Sequence, residues 1–129
     1  MSRPTANQID FFPALPKAKV DAIQALPLGN SNYQFFSLEP DALLDAPQNI
    51  DYLDGETGMA FRIRPFDTPC VFTSTGGRFA WWLEEQGTEA SREYMIEGLV
   101  KIFGHSVRNG LREFKVSAWG YDPWIRGAY

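Results

Sequence analysis

The spacing of apolar and polar residues changes period several times along the chain, and each change marks an element. Ile9, Phe11 and Phe12 predict a short strand that Pro13 and Pro16 terminate, because neither proline can donate to a ladder. Pro16 suits the first turn of a helix running to about Leu26, with Val20, Ile23 and Leu26 on one face and Lys17, Asp21 and Gln24 opposite. Pro27 and Gly29 break that helix, and Asn30-Ser31-Asn32 form a polar turn before a strand over Tyr33 to Leu38. A loop through Pro40 and Pro47 follows. Ile50 to Leu53 and Met59 to Ile63 flank Asp54-Gly55-Glu56-Thr57-Gly58, which predicts a hairpin. In its second arm Met59, Phe61 and Ile63 alternate with Ala60, Arg62 and Arg64, so one face is buried and the other wet.

Pro69 to Thr75 is a further β-rich run, closed by Gly76-Gly77 as a tight turn from strand into helix. Phe79 to Gln86 has helical spacing, with Phe79, Trp82, Leu83 and Gln86 on one side. Thr88 is placed to cap a second helix reaching Phe103, whose inner stripe is Met95, Leu99, Ile102 and Phe103. Glu97 and Lys101 make a supporting pair one turn apart, and Gly104 is placed to end the helix in a left-handed cap. Glu113 to Trp119 alternates again as a final strand. Strand, helix, several strands, two helices and a strand together indicate a domain that combines α and β elements.

Composition adds bounds to this pattern. The 129 residues suffice for one domain, and 44% hydrophobic with 15% aromatic content allows a well-filled core. A formal net charge of −4 offers no attraction to phosphate backbones or anionic lipid, which sets aside nucleic-acid and membrane-surface binding. The single Cys70 excludes an intrachain disulfide framework, and the single His105 excludes a His/Cys zinc cluster within the chain. With no long apolar run and a polar start, Met1 to Gln8, the expectation is a soluble cytoplasmic protein.

Most candidate chemistry reduces to structure. Gly76-Gly77 has the right context for a phosphate loop, but neither G-x-G-x-x-G nor a Walker sequence is present. Asp51, Asp54, Gly55 and Glu56 faintly resemble a calcium loop without its spacing and are taken as the hairpin turn. No metal site is expected. Ser106 beside His105 lies in no nucleophile elbow, and His105 is expected to meet the free carbonyls of the helix end. Cys70 is expected to be a small core residue, and Lys17, Lys19, Lys101 and Lys115 form no basic patch. Glu84-Glu85 is assigned to the wet side of its helix, with no special role. The exception is Trp119 to Tyr129, where four large aromatics, two glycines and a proline fall within eleven residues. Two readings stay open for it: an aromatic turn after an edge strand, or a pocket wall whose glycines let the backbone approach a flat ligand.

Trp119-Gly120-x-Asp122-Pro123-Trp124-x-x-Gly127-x-Tyr129 resembles the W-G-x-D-P-x-x-x-G-[AS]-Y segment of flavin-dependent amine oxidases, among them monoamine and polyamine oxidases and L-amino-acid oxidases. The likeness extends upstream. Ile9-x-Phe11-x-Pro13-x-Leu15-Pro16-x-x-Lys19 with Ala22-Ile23 is similar to the stretch entering the family's substrate domain. Leu26-Pro27-Leu28-Gly29 is similar to the L-P-M-G turn that follows, and Gly76-Gly77-Arg78-Phe79-Ala80 to a glycine pair leading into a helix.

The resemblance implies an α+β fold: a mixed β-sheet with helices on one side, forming the substrate-binding domain and lacking the dinucleotide-binding unit. It implies oxidative deamination of a small amine or amino acid, with FAD accepting a hydride equivalent from the α-carbon. By position, Tyr129, Tyr33 and Trp124 would bind substrate, while Trp119, Gly127 and Ala128 would meet the flavin. No residue is assigned as catalytic. Ala128 stands where monoamine oxidases carry the cysteine that links FAD, so the cofactor would be non-covalent. Tyr33 stands where many members carry a lysine, four residues after the L-P-x-G glycine. The expectation is a chain inactive without a partner carrying the FAD-binding unit, which either meets that partner or self-associates. A non-catalytic ligand-binding or assembly module derived from the same fold is the alternative.

Overall fold

The computed structural model describes residues 10–54 and 57–128. Helix α1 (Lys17–Ala25) leads into strand β1 (Ser31–Leu38), and the hairpin follows as β2 (Asn49–Asp54) and β3 (Thr57–Ile63). Then come β4 (Cys70–Gly76), α2 (Gly77–Gln86), α3 (Thr88–Phe103) and β5 (Leu111–Val116), with short 3-10 helices at Pro65–Asp67 and His105–Gly110. The strands lie in the order β2-β3-β4-β1-β5. The α+β class is as expected. Within it every neighbouring pair is antiparallel, where the resemblance implied mixed pairing. β4 and β5 do run the same way, as a helical crossover between them allows, but β1 lies between them and opposes both.

Side chains of β1 alternate across the sheet. Asn32, Gln34, Phe36 and Leu38 are buried, while Tyr33, Phe35 and Ser37 are exposed on the opposite face. Phe36, Met59, Phe61, Ile63 and Val71 pack with Met95, Ile96 and Leu99 of α3 in one core. Each such side chain contributes roughly 1.5–3 kcal/mol when fully buried. The buried face has two chemistries. Its half nearer α3 is apolar, whereas Asn32, Gln34, Thr73 and Thr75 make the other half polar, with Gln34 Nε2 donating to Thr75 Oγ1 at 3.1 Å. Gly98 sets the helix-to-sheet distance, since a Cβ there would run into Met59 and Phe61.

Several expectations are corrected. Phe11 and Phe12 are exposed and outside any strand (Ile9 lies beyond the described residues), because no neighbouring strand gives them a ladder to join. The face of Val20, Ile23 and Leu26 is not covered, and α1 buries no residue. Helix α2 turns Ala80 and Leu83 inward and leaves Trp82 half exposed. Gly87, not Thr88, precedes α3, and no side chain caps its start; Ile96 joins Met95 and Leu99 as the inner stripe, with Ile102 and Phe103 at its margin. Gly104 ends α3 at φ 78° as expected, with its N–H on Val100 O at 2.7 Å. Strand β5 stops at Val116, three residues early, because the chain turns at Ala118. The hairpin arms form as expected, and its tip at 55–56 lies outside the described residues.

Cys70 is also misplaced by the sequence reading. The inward positions of β4 are Val71, Thr73 and Thr75, so Cys70 sits half-buried on the helix-free face. Burial pushes its thiol above the ordinary value, and the Arg64 guanidinium offsets this in part.

Two predictions follow from this packing. Gly98→Val should lower the urea midpoint by the equivalent of about 1–3 kcal/mol, because its side chain would displace the buried Met59 thioether and press on the Phe61 ring; an unchanged midpoint would show that Met59 moves aside without cost. Iodoacetamide should modify Cys70 more slowly in the native than in the urea-unfolded chain at pH 8, with the rate rising through a pH above the ordinary thiol range. A native profile at or below that range would contradict the assignment.

Candidate functional site

Beyond β5 the chain leaves the sheet and folds back on itself as a hook over residues 118–128. Asp122 N–H donates to Ala118 O and Arg126 N–H to Asp122 O, each at 3.0 Å. The Asp122 carboxylate oxygen Oδ1 accepts from Trp124 N–H at 2.8 Å and Ile125 N–H at 3.0 Å, the capping pattern that starts a turn. Pro123 follows at a position with no donor to lose. The hook closes where Ala128 N–H donates to Gly29 O at 2.9 Å, an antiparallel bridge to the segment before β1.

Both glycines of the hook are required by this docking. Gly127 has φ 138°, and a Cβ there would lie 2.5 Å from Gly29 O. Gly120 is buried under the Trp81 ring beside Asn30, where a Cβ has no space. The close approach is therefore hook to β1 and α2.

Between hook and sheet lies an open concavity of ≈ 310 Å³, lined by Ser31 and Tyr33 of β1 and by Trp119, Ile125, Gly127 and Ala128. It opens on the helix-free face, since Tyr33 is an outward position of β1. Four of the residues singled out by sequence (Tyr33, Trp119, Gly127 and Ala128) are thus brought together. Trp124 is 93% exposed and is not part of this lining. Tyr129 lies outside the described residues. The hook is not ordinary core filling: Trp119, Tyr121 and Ile125 keep 37%, 48% and 43% of their surface exposed.

Sequence reasoning missed Ser31 and Ile125, and it missed an aromatic strip that continues from the concavity. Tyr33 lies 6.2 Å from both Phe35 and Phe72, ring centroid to centroid, and those two are 5.3 Å apart. The signal was available in the period-two spacing of Tyr33 and Phe35. Glu84 is the larger omission, and its assignment to the wet side of α2 is corrected here. Its Oε2 accepts from Asn30 Nδ2 and, at 2.9 Å, from Asn32 Nδ2; its Oε1 accepts from Tyr121 N–H at 2.9 Å. Asn32 Oδ1 in turn accepts from Trp119 N–H at 3.3 Å. No periodicity reveals this, because the partners are up to 54 residues apart. Beside it, partial desolvation first and then the Glu85 and Glu84 carboxylates push the Tyr121 phenol above its usual value.

Other candidates stay apart from the concavity. His105 and Ser106 are exposed in the 3-10 helix after α3. Among the described residues no group of three or more His, Cys, Asp or Glu could hold a metal, and no helix is long and apolar enough to cross a membrane.

The family model described as flavin containing amine oxidoreductase matches residues 1–129, the full chain.

Gly127→Ala combines a strained φ with a collision against Gly29 O, and should cost about 1–3 kcal/mol. Urea unfolding and the near-ultraviolet circular dichroism of the tryptophans read this out; a variant with wild-type values in both would show that the hook does not need the glycine.

Proposed function

This chain belongs to the flavin-containing amine oxidoreductase family, and from that premise we propose that it forms the substrate-facing wall of an amine oxidase. The observation that carries the reading is the concavity, which unites the family-like tail residues Trp119, Gly127 and Ala128 with Tyr33 of a strand some ninety positions earlier.

A flavin is implied by the family, and the residues present fit one part of it. The open apolar concavity, with an indole, a phenol and the close backbone of Gly127, suits one side of a flat isoalloxazine ring. The phosphate end finds no glycine fingerprint in this sequence and is assigned to a separate FAD-binding unit. The chemistry a flavin supplies when bound is acceptance of a hydride equivalent from the α-carbon of an amine or amino acid. Trp119, Gly127 and Ala128 would hold the ring's side, and Ala128, having only a methyl group, leaves the cofactor non-covalent. Tyr33 would take the amine side, where an aromatic wall orients the α-carbon, and Trp124 and Tyr129, assigned there by the resemblance alone, would join it only in the assembled enzyme. Without the FAD-binding unit the chain is inactive. Exposed Ile23, Leu26, Leu28, Trp124 and Ile125 supply apolar area for that partner, or for a second copy in its absence. The compartment proposed is the cytoplasm.

One observation favours a second reading. Tyr33 lines the concavity at the position where the resemblance puts a lysine, so a binding module without redox activity accounts for the same surface.

Lumiflavin, an isoalloxazine without phosphates, should quench the tryptophan fluorescence of the full chain saturably. Trp119→Ala should weaken this about tenfold, as loss of a stacking contact worth ~1–3 kcal/mol predicts. Amine-dependent peroxide should appear only when an FAD-loaded family unit is added. No quenching would sink the flavin wall, oxidation by the chain with FAD alone would sink the division of labour, and quenching with no oxidation in the reconstituted complex would select the second reading.

A further inference from the structure

The concavity has a wall on β1 and a wall on the hook, and the hook docks where Gly127 meets Gly29 and Gly120 lies under Trp81. Trp119 and Ile125 are substantially exposed, and the hook's backbone meets the rest of the fold through a few hydrogen bonds. Two of the three, Tyr121 N–H directly and Trp119 N–H by way of Asn32, lead to one side chain, while Ala128 N–H goes to Gly29 O. Glu84 projects from α2 and receives Asn30 and Asn32, which flank Ser31 at the head of β1, on one oxygen and the Tyr121 N–H of the hook on the other. Asn32, oriented by Glu84, passes its own carbonyl oxygen to Trp119 N–H.

We propose that Glu84 is the positioning residue of the concavity, fixing the distance and angle between Tyr33 and Trp119 without touching a ligand. The inference rests on the flavin-wall reading for its functional meaning, but its geometry is independent of it. All three partners of the carboxylate are N–H donors, so the site needs acceptors on both oxygens. An amide satisfies one side and turns its own N–H₂ toward a donor on the other. Asn30 and Asn32 are buried, and of the two only Asn32 has a second acceptor among the described bonds, Ala80 O at 3.4 Å, so the loss is transmitted to the hook.

The test uses the full chain with Glu84→Gln and Glu84→Asp, followed by residue-resolved amide exchange and by lumiflavin quenching. In Glu84→Gln the amides of Trp119 and Tyr121 should exchange at least tenfold faster while those of Phe36 and Val71 keep their protection, and lumiflavin affinity should fall at least fivefold. Glu84→Asp retains both acceptor oxygens and should restore part of each signal. Unchanged exchange at Trp119 and Tyr121 overturns the proposal. So does an equal loss at Phe36 and Val71, which marks general destabilisation, and so does wild-type lumiflavin affinity with a loosened hook. Should the wild-type chain itself fail to bind lumiflavin, the flavin reading falls separately and the amide pattern alone decides the role of Glu84.

Discussion

The head of β1, from Gly29 to Asn32, is the junction on which the site depends. Helix α2 and the hook each reach it at two points. Gly77 at the start of α2 donates its N–H to Asn30 O, Glu84 about two turns further along α2 takes the Asn30 and Asn32 amides, Ala128 bridges to Gly29, and Trp119 N–H bonds to Asn32 Oδ1. Asn30 and Asn32 are buried, so their polar groups require partners in fixed directions. Hydrophobic contact tolerates sliding, whereas a directional acceptor does not. That difference explains why the polar half of the buried face lies at the end that carries the hook.

The two faces of the sheet divide the work. The inner face carries the packing that makes a five-stranded sheet stable, with α3 brought close by Gly98 and filled in by Phe36, Phe61 and Val71. The outer face carries no helix among the described residues and presents Tyr33, Phe35 and Phe72 in mutual ring contact, leading into the concavity. Under the proposed function that arrangement has a purpose. Planar apolar surface left uncovered costs stability in a domain standing alone, and it is retained where a ligand or another unit lies against it.

The tail motif acquires a physical meaning that differs from its first reading. The sequence alone suggests glycines that let the backbone approach a flat ligand. In the fold they first let the hook approach its own scaffold: Gly120 beneath Trp81, and Gly127 against Gly29 O. Asp122 and Pro123 start the turn that makes the approach possible. The pattern of residues is thus a recipe for a docked loop, and the pocket wall is its consequence.

The α+β class, all five strands to within three residues, and the extent of α1 and α3 were written in local patterning, because period and breakers are properties of neighbouring residues. Tyr33, Trp119, Gly127 and Ala128 were also legible, through their resemblance to a known motif. What the patterning left open was everything set by distant partners. Phe11 and Phe12 have strand-like character but no ladder, Cys70 faces away from the core because its neighbours Val71 and Thr73 face in, and Glu84 is drawn inward by donors on β1 and the hook. Burial and hydrogen-bond partnership are decided only when remote segments meet, so the chain alone determined the elements and the tertiary structure determined which side chains they bring to one site.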